Sequence, residues 1–217
     1  MDAFLQDVQY SVRRLLRAPG FALVAIATIG LGIGANTAIF SFINAALFKS
    51  PAGVSEPDRL VSVFTSDFSG PLYSTSSYPD FEELRKERDL FTDVAAISAN
   101  AINLVRGSQV ERLNAELVTA NYFSLLGLRP AAGRLLVSGD SLQPVIVLSE
   151  ATWTERFGRD AALIGGPVTV NGQSYTLVGV APTNFHGMTT GARYEAWLPI
   201  TSANHIARVG AGERDSR

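Results

Sequence analysis

The chain has 217 residues, no cysteine, two histidines and a formal net charge of −2. This charge balance excludes a broad basic surface for nucleic acid. The lack of cysteine excludes disulfides, thiolate catalysis and zinc sites built on thiolates. Hydrophobic residues make up 47% of the chain, and their uneven distribution is more informative than this share.

Residues 1–18 are predicted to form a separate amphipathic helix. Apolar side chains recur there at helical spacing, and Arg13 and Arg17 fall largely on the other face. Such a helix would lie along the inner membrane surface with its arginines toward anionic lipid. Packing on another protein would use the same apolar face and is an equal alternative. Pro19 and Gly20 then break this helix.

Residues 19–49 are predicted to form one transmembrane helix. No Asp, Glu, Lys or Arg occurs between Arg17 and Lys49, and about 20 apolar residues are enough to cross a bilayer. A cleaved secretory signal and a buried helix of a soluble core are the alternatives. The first usually has a shorter apolar run of about 7–15 residues, and the second is rarely so long without charge. The sequence favours an anchor.

The flanking charges predict the orientation of this span. Arg13, Arg14 and Arg17 precede it, and only Lys49 follows it closely. By the positive-inside rule the N-terminus is therefore cytoplasmic. We expect residues 50–217 to lie outside the cytoplasm, on a chain that crosses the plasma membrane once.

Small residues repeat within the span. Gly30, Gly34 and Ala38 are four positions apart and share one helix face. Close approach through small residues is a main source of helix association in lipid. We predict that this face packs against other membrane spans or another copy of the chain, although small residues are also common in spans that make no such contact.

Residues 50–217 are predicted to form a mixed α/β domain. Strands are expected at 59–65, 94–105, 112–118, 145–148 and 194–200. A helix is expected to begin near Tyr78 with Pro79 at its first position, and further helices are expected at 121–126 and 149–157. Asn171-Gly172 is the pair preferred in a type I′ turn, so residues 168–180 are predicted to form a hairpin.

The fold class is thus α+β. It comprises an N-terminal amphipathic helix and one transmembrane helix, followed by a mixed α/β extracytoplasmic core domain.

Several stretches, taken in order, resemble a known family. RRLLRAPGFALVAIATIGLGIGANTAIFSFINAALF is similar to the first span of MacB-like, FtsX-type permeases of the ABC transporter superfamily, in particular those without a fused ATPase. Four later segments resemble the MacB-like periplasmic core domain: SYPDFEELR, LVTANYFSLLGLRPAAGRLL, VIVLSEATWTERFG and VTVNGQSYTLVGVAPTNFHG. Such permeases have three further spans that residues 1–217 lack, which implies an N-terminal fragment or a truncated product.

This resemblance implies a permease-type subunit rather than an enzyme, with no catalytic, cofactor or metal site in the chain. The implied partners are the lipid bilayer, a separate cytoplasmic ABC ATPase, and other spans or permease copies, with no nucleic acid. ATP hydrolysis by the partner would move the extracytoplasmic domain. The alternative is a membrane-anchored binding or scaffold domain without ATPase coupling.

An enzymatic alternative rests on Gly139-Asp140-Ser141-Leu142, which resembles a motif of one group of serine esterases. Their mechanism needs a histidine oriented by a carboxylate, supplied in those enzymes by an Asp-x-x-His element. Three residues before His186 the sequence has Thr183 instead of Asp, and three residues before His205 it has Ser202. Neither fits, and the motif is predicted to be a polar loop.

Two other patterns are predicted to carry no chemistry. Gly30, Gly32 and Gly34 lack the preceding strand of a nucleotide-binding loop, and two isolated histidines do not have metal-ligand spacing. Four aromatic residues are expected to pack in the domain rather than to bind a ligand: Tyr73, Tyr78, Phe81 and Phe91.

Overall fold

A computed structural model describes residues 10, 17–47, 53–66, 74, 76–106, 109–189 and 191–202, except for the side chains of 44–47. The chain divides into two units, Met1–Lys49 and Ser50–Arg217. The predicted amphipathic helix over 1–18 falls almost entirely outside the described residues.

The first unit contains a long apolar helix, α1, over Pro19–Leu47. It begins at a proline, which suits the first helical position because the missing N–H has no partner there in any case. Its 29 residues correspond to about 44 Å, more than the roughly 30 Å of a bilayer core. Within α1, Pro19–Ile43 is long and apolar enough to cross a membrane.

The second unit combines one sheet with short helices. The strands are β1 Ile97–Arg106, β2 Gln109–Val118, β3 Ala132–Gly133, β4 Val145–Leu148, β5 Pro167–Val170, β6 Gln173–Val180 and β7 Ala196–Pro199. The α-helices are α2 Tyr78–Leu84, α3 Tyr122–Leu125 and α4 Glu150–Phe157. The 3-10 turns are Pro57–Arg59, Ser138–Asp140, Ala161–Leu163 and Ile200–Ser202.

The sheet of the described residues closes on itself. Its strand order is β3-β6-β4-β7-β2-β1-β5, and β5 also pairs with β6. The hairpins β1–β2 and β5–β6 are antiparallel, whereas β2–β7 and β4–β6 are parallel. Parallel neighbours need a crossover, and α4 lies on the connection from β4 toward β6.

Strand alternation divides the core into two clusters, because successive side chains point to opposite faces of the sheet. The inner cluster lies within the closed sheet and takes side chains from β1, β2, β4, β5, β6 and β7; its fully buried members include Ile102, Leu113, Leu117, Ile146, Leu148, Leu177 and Leu198. The outer cluster is rich in aromatic residues and includes Tyr122, Phe123, Phe185, Tyr194 and Trp197.

Most local predictions are confirmed. α2 begins at Tyr78, after Ser77 and Asp80 form a capping box. α4 follows the cap Ser149 and ends at Gly158. The β5–β6 hairpin turns at Asn171 and Gly172, both with positive φ, as a type I′ turn requires. The predicted fold class is also confirmed in its main parts, an N-terminal apolar helix followed by a mixed α/β domain.

The predicted strand over 59–65 is wrong. Residues 57–59 form a 3-10 turn, 60–64 belong to no strand, and Thr65 makes an isolated bridge with Ser74. Val61 and Val63 are exposed. The apolar alternation is present, but a strand also needs a neighbour for its backbone groups, and no described strand adjoins this segment.

Helix α2 is shorter than its charge pattern predicts. Basic residues such as Arg85, Lys86 and Arg88 are typical of the last turn of a helix, but α2 stops at Leu84. Lys86 Nζ instead forms an exposed ion pair with Glu83 at 2.6 Å. Exposed pairs of this kind contribute little stability, so they do not extend the helix.

Candidate functional site

Residues 53–60, called here the exit segment, follow α1 in the chain and are attached to the core domain. The Ser55 N–H donates to the Leu126 carbonyl at 2.9 Å, and Ser55 Oγ donates to the Gly127 carbonyl at 3.4 Å. Val54 and Leu60 pack against the outer cluster. Backbone and side-chain contacts therefore both hold this segment on the end of α3.

Gly127 makes this attachment possible. Its φ is +66°, and a Cβ at this position would lie 2.4 Å from Ser55 Oγ. An L-residue with a side chain would therefore be strained in conformation and would also collide with the exit segment. Gly127 directly follows the helix predicted at 121–126, which is a common position for glycine. Its contact with Ser55 depends on a neighbour 72 residues away in the chain.

A carboxyl group is buried in the outer cluster. Glu116 of β2 is fully buried, and its Oε2 accepts hydrogen bonds from Tyr122 OH at 2.8 Å and Trp197 Nε1 at 2.9 Å. The Met188 backbone N–H and the Thr189 hydroxyl lie near the carboxyl, and Oε1 has no hydrogen bond of normal geometry to any described residue. The carboxyl thus connects β2, α3 and β7 beneath the loop before β7.

Burial controls the protonation of this group. Removal from water raises the pKa of Glu116, and the hydrogen bonds from Tyr122 and Trp197 lower it in part. Burial, followed by the nearby Glu116 charge, raises the pKa of the Tyr122 hydroxyl, so that hydroxyl is a donor at neutral pH.

The loop over Glu116 is closely packed. Gly187 has a φ of +97°, and a Cβ there would lie 2.4 Å from Tyr194 Cδ2 and 3.1 Å from Glu116 Oε2. The Phe185 ring lies beside the Trp197 ring at a centroid distance of 5.4 Å. The Glu116 site was not predicted from sequence; the only signal was a single acidic residue in the apolar half of a strand.

The Gly139-Asp140-Ser141-Leu142 motif forms a turn held by local bonds. Asp140 accepts two hydrogen bonds from Arg134, at 2.5 and 2.9 Å, and one from the Val137 N–H at 2.9 Å. Although burial raises the pKa of Asp140, these bonds lower it below its usual value. Ser141 Oγ donates to the Ser138 carbonyl at 2.8 Å. The arrangement is that of a structural turn.

The histidines do not assemble with this turn in the described residues. His186 Nε2 lies 3.2 Å from the Arg193 guanidinium, and burial, followed by this positive charge, lowers the pKa of His186. His205 lies outside the described residues. The described part of the chain also contains no cluster of three His, Asp or Glu side chains that would hold a metal.

Two residues of the predicted aromatic group, Tyr78 and Phe81, lie in α2 and contact each other. Phe81 is buried, and its ring centroid lies 5.6 Å from that of Tyr78, which is half exposed. Phe91 is half-buried, and Tyr73 lies outside the described residues. A shallow groove of about 160 Å³ borders Tyr78 and Ser141.

The predicted helix-packing residues all lie in α1. A Cβ added at Gly30 or Gly34 would meet no atom within 4 Å, and Ala38 is exposed. This face is therefore open to a partner, and its contact with another helix stays a prediction.

These features define an α/β domain that follows an apolar helix, with an attached exit segment and a buried carboxyl network. The profile of the family described as MacB-like periplasmic core domain matches residues 22–215. The chain therefore belongs to the MacB-like periplasmic core domain family, which is found in permeases of ABC-type transporters.

Two solved structures resemble the chain in fold. The periplasmic region of MacB from Actinobacillus actinomycetemcomitans is 23% identical over 59% of this chain and 57% of that one, with a TM-score of 0.49. The extracellular domain of the noncanonic ABC-type transporter YknZ from Gram-positive bacteria is 17% identical over 61% of this chain and 67% of that one, with a TM-score of 0.50. The chain thus matches little more than half of the MacB region. A search among curated proteins finds no match.

Proposed function

We propose that the chain acts as a permease-type subunit of an ABC transporter system. A separate cytoplasmic ATPase would move the membrane spans, and α1 would pass this motion to the extracytoplasmic domain. Membership in the MacB-like family supports the transporter context. The attachment of the exit segment to the core is the observation that carries the coupling role.

Covalent continuity provides the path for this coupling. Only residues 48–52 separate the end of α1 from Gly53, where the described chain resumes. From there, the hydrogen bond from Ser55 to Leu126 and the packing of Val54 attach the chain to α3. A free linker would absorb a displacement of the helix, whereas an attached segment transmits it to the domain.

The aromatic cluster makes the receiving surface stiff. Phe123 of α3 packs edge-to-face on Trp197 at 5.9 Å, and Tyr122 bonds to Glu116. Close-packed interiors deform little and transmit strain. A force applied at Ser55 would therefore reach β2 and β7 through α3, rather than being lost in a local rearrangement.

The test is to purify the full chain from its native membranes and to measure the co-purifying ATPase. We expect a nucleotide-binding subunit to co-purify, and ATP to change hydrogen exchange in the exit segment and α3 relative to ADP. Gly127→Ala should leave the exchange change near α1 but reduce it in α3 by at least half.

Gly158→Ala is the matched control, because Gly158 also ends a helix with positive φ, yet a Cβ there meets no atom within 4 Å. It carries the same backbone strain without touching the exit segment. If no ATPase co-purifies, the chain is better described as an anchored scaffold. If both variants behave alike, the exit segment is not the coupling element.

A further inference from the structure

The Glu116 carboxyl lies directly beneath the loop that precedes β7. This loop, called here the cover loop, comprises residues 182–189 and 191–195, which form no strand or helix. A Cβ at Gly187 would lie 3.1 Å from Glu116 Oε2, so the loop backbone lies against the carboxyl. Thr189 and Gly191 of the same loop are exposed. The cover loop therefore separates Glu116 from solvent.

No positive charge balances Glu116 among the described residues of the strands and helix around it. Its strand partners are Ala99 in β1 and Trp197 in β7. From α3 it receives the hydrogen bond of the Tyr122 hydroxyl. These neighbours are uncharged, so they supply no counter-ion for a carboxylate.

The charged and titratable groups of the cover loop have other partners. His186 Nε2 lies 3.2 Å from the Arg193 guanidinium. Tyr194 OH donates to a hydroxyl of the same loop at 3.3 Å, and Glu195 lies 3.8 Å from Arg156. The loop therefore covers Glu116 without neutralising it.

Ionisation changes the cost of burying this group. A buried carboxylate is costly unless a cation or a full set of hydrogen bonds compensates it, and Glu116 Oε1 has no hydrogen bond of normal geometry. A protonated carboxyl carries no charge and is much cheaper to bury. Burial also raises the pKa of Glu116, so the proton is retained above the usual range of a glutamate.

The cover loop is the part of this site that can move. β2 and β7 are each paired on both sides, whereas the loop has positive φ at Asn184, Gly187 and Gly191. One backbone bond, from the Tyr194 N–H to the His186 carbonyl at 3.0 Å, joins its two arms. Exposed segments of this kind open at a lower free energy than core strands.

We propose that Glu116 acts as a proton-operated latch for the cover loop. The loop stays closed while the carboxyl carries its proton. When the proton passes to solvent, the loop opens and water reaches Oε1. Opening also uncovers Trp197, whose ring lies 5.4 Å from that of Phe185 in the loop. The latch is separate from coupling to an ATPase, and its test needs no nucleotide.

Trp197 can report the state of the latch. The chain has two tryptophans, so Trp153→Phe leaves Trp197 alone. In this full-length parent in detergent, acrylamide quenching of Trp197 should rise at least threefold from pH 5 to pH 9. Adding Glu116→Gln should keep quenching at its pH 5 level, because an amide does not ionise. Constant quenching in the parent, or an unchanged rise with Glu116→Gln, would overturn the proposal.

His186→Gln is the matched control, since histidine is the side chain whose ordinary pKa lies in this pH range. A protonated His186 would repel Arg193, so a histidine switch would open the loop as the pH falls, in the opposite direction. The control should keep the rise in quenching with pH. Loss of the rise in His186→Gln would assign the response to the histidine and contradict the latch.

Hydrogen exchange at a fixed pH locates the movement. At pH 8.5 the amides of residues 185–189 should exchange at least tenfold more slowly in full-length Glu116→Gln than in the wild type, and at pH 5 the two proteins should agree. The amides of β2 and β7 should change much less. Equal exchange in the loop at pH 8.5, or an equally large change in β2 and β7, would show that no local latch exists.

Discussion

A carboxyl group at position 116 occupies a place in the core that an apolar side chain usually fills. Burying such a group is costly unless its hydrogen bonds are made. Here one oxygen satisfies two buried donors, Tyr122 OH and Trp197 Nε1. Burying the Glu116 carboxyl costs free energy. The outer cluster nevertheless needs this carboxyl, because the two donors would otherwise be buried without an acceptor.

The stability contributed by Glu116 should depend on pH. Its pKa is raised in the folded state, so the folded protein prefers the protonated form. The contribution is fully present below the unfolded-state value of 4.5 and is lost as pH rises through the folded-state pKa. Lowering the pH toward 5 should therefore strengthen this site relative to pH 7.

Glu116→Gln should remove this dependence while keeping the acceptor. We expect it to be at least as stable as the wild type at pH 7, measured by urea unfolding of the full chain in detergent. Glu116→Ala leaves two buried donors unpaired and a cavity, and should cost about 3 kcal/mol. Glu155→Gln, on the exposed side of α4, is the control. An unchanged pH dependence in Glu116→Gln would show that another group titrates.

At the scale of the element, α1 is defined by its composition rather than by contacts. No part of Pro19–Ile43 is buried within the chain. If α1 spans the bilayer, lipid or other helices therefore cover it. Lipid offers little hydrophobic drive between helices, and close backbone packing takes its place. The row of Gly30, Gly34 and Ala38 is the part of α1 suited to that packing.

Gly30→Leu combined with Gly34→Leu should still insert, because apolarity rises, but should lose helix association. The expected loss is about 1–2 kcal/mol, measured with a membrane-association reporter. Gly32→Leu is the matched control, since Gly32 is equally open but lies on a different face of the helix. A double mutant that associates as strongly as the control would identify α1 as a simple anchor.

At the scale of the whole molecule, the charges that flank the span predict the membrane topology. Three arginines precede the span and one lysine follows it, so we expect the second unit to be extracytoplasmic. Alkaline phosphatase needs an oxidising compartment to form its disulfides. Fusion after Gly172 should therefore be active, and fusion after Gln9 inactive at equal expression by immunoblot. The opposite pattern would invert the proposed orientation.

Features that depend on local interactions could be predicted from the sequence. The turn at Asn171-Gly172 needs positive φ at both residues, α4 has its own cap in Ser149, and the β4 strand is a short apolar run. Each signal depends on residues close together in the chain, so each could be predicted without the fold. The length of α1 belongs to the same class, because the helix makes its own backbone hydrogen bonds.

Which strands are neighbours, and which groups are buried between them, depends on contacts between distant parts of the chain. The 59–65 segment has a strand pattern but joins none of the described strands of the sheet, whereas β5 closes the sheet by pairing with both β1 and β6. Glu116 and Trp197 are 81 residues apart, and their bond exists only because β2 and β7 are neighbours. The physical reason is that strand pairing and burial join residues far apart in the chain. The type of a residue indicates which kind of partner it needs, and the fold determines whether such a partner lies next to it.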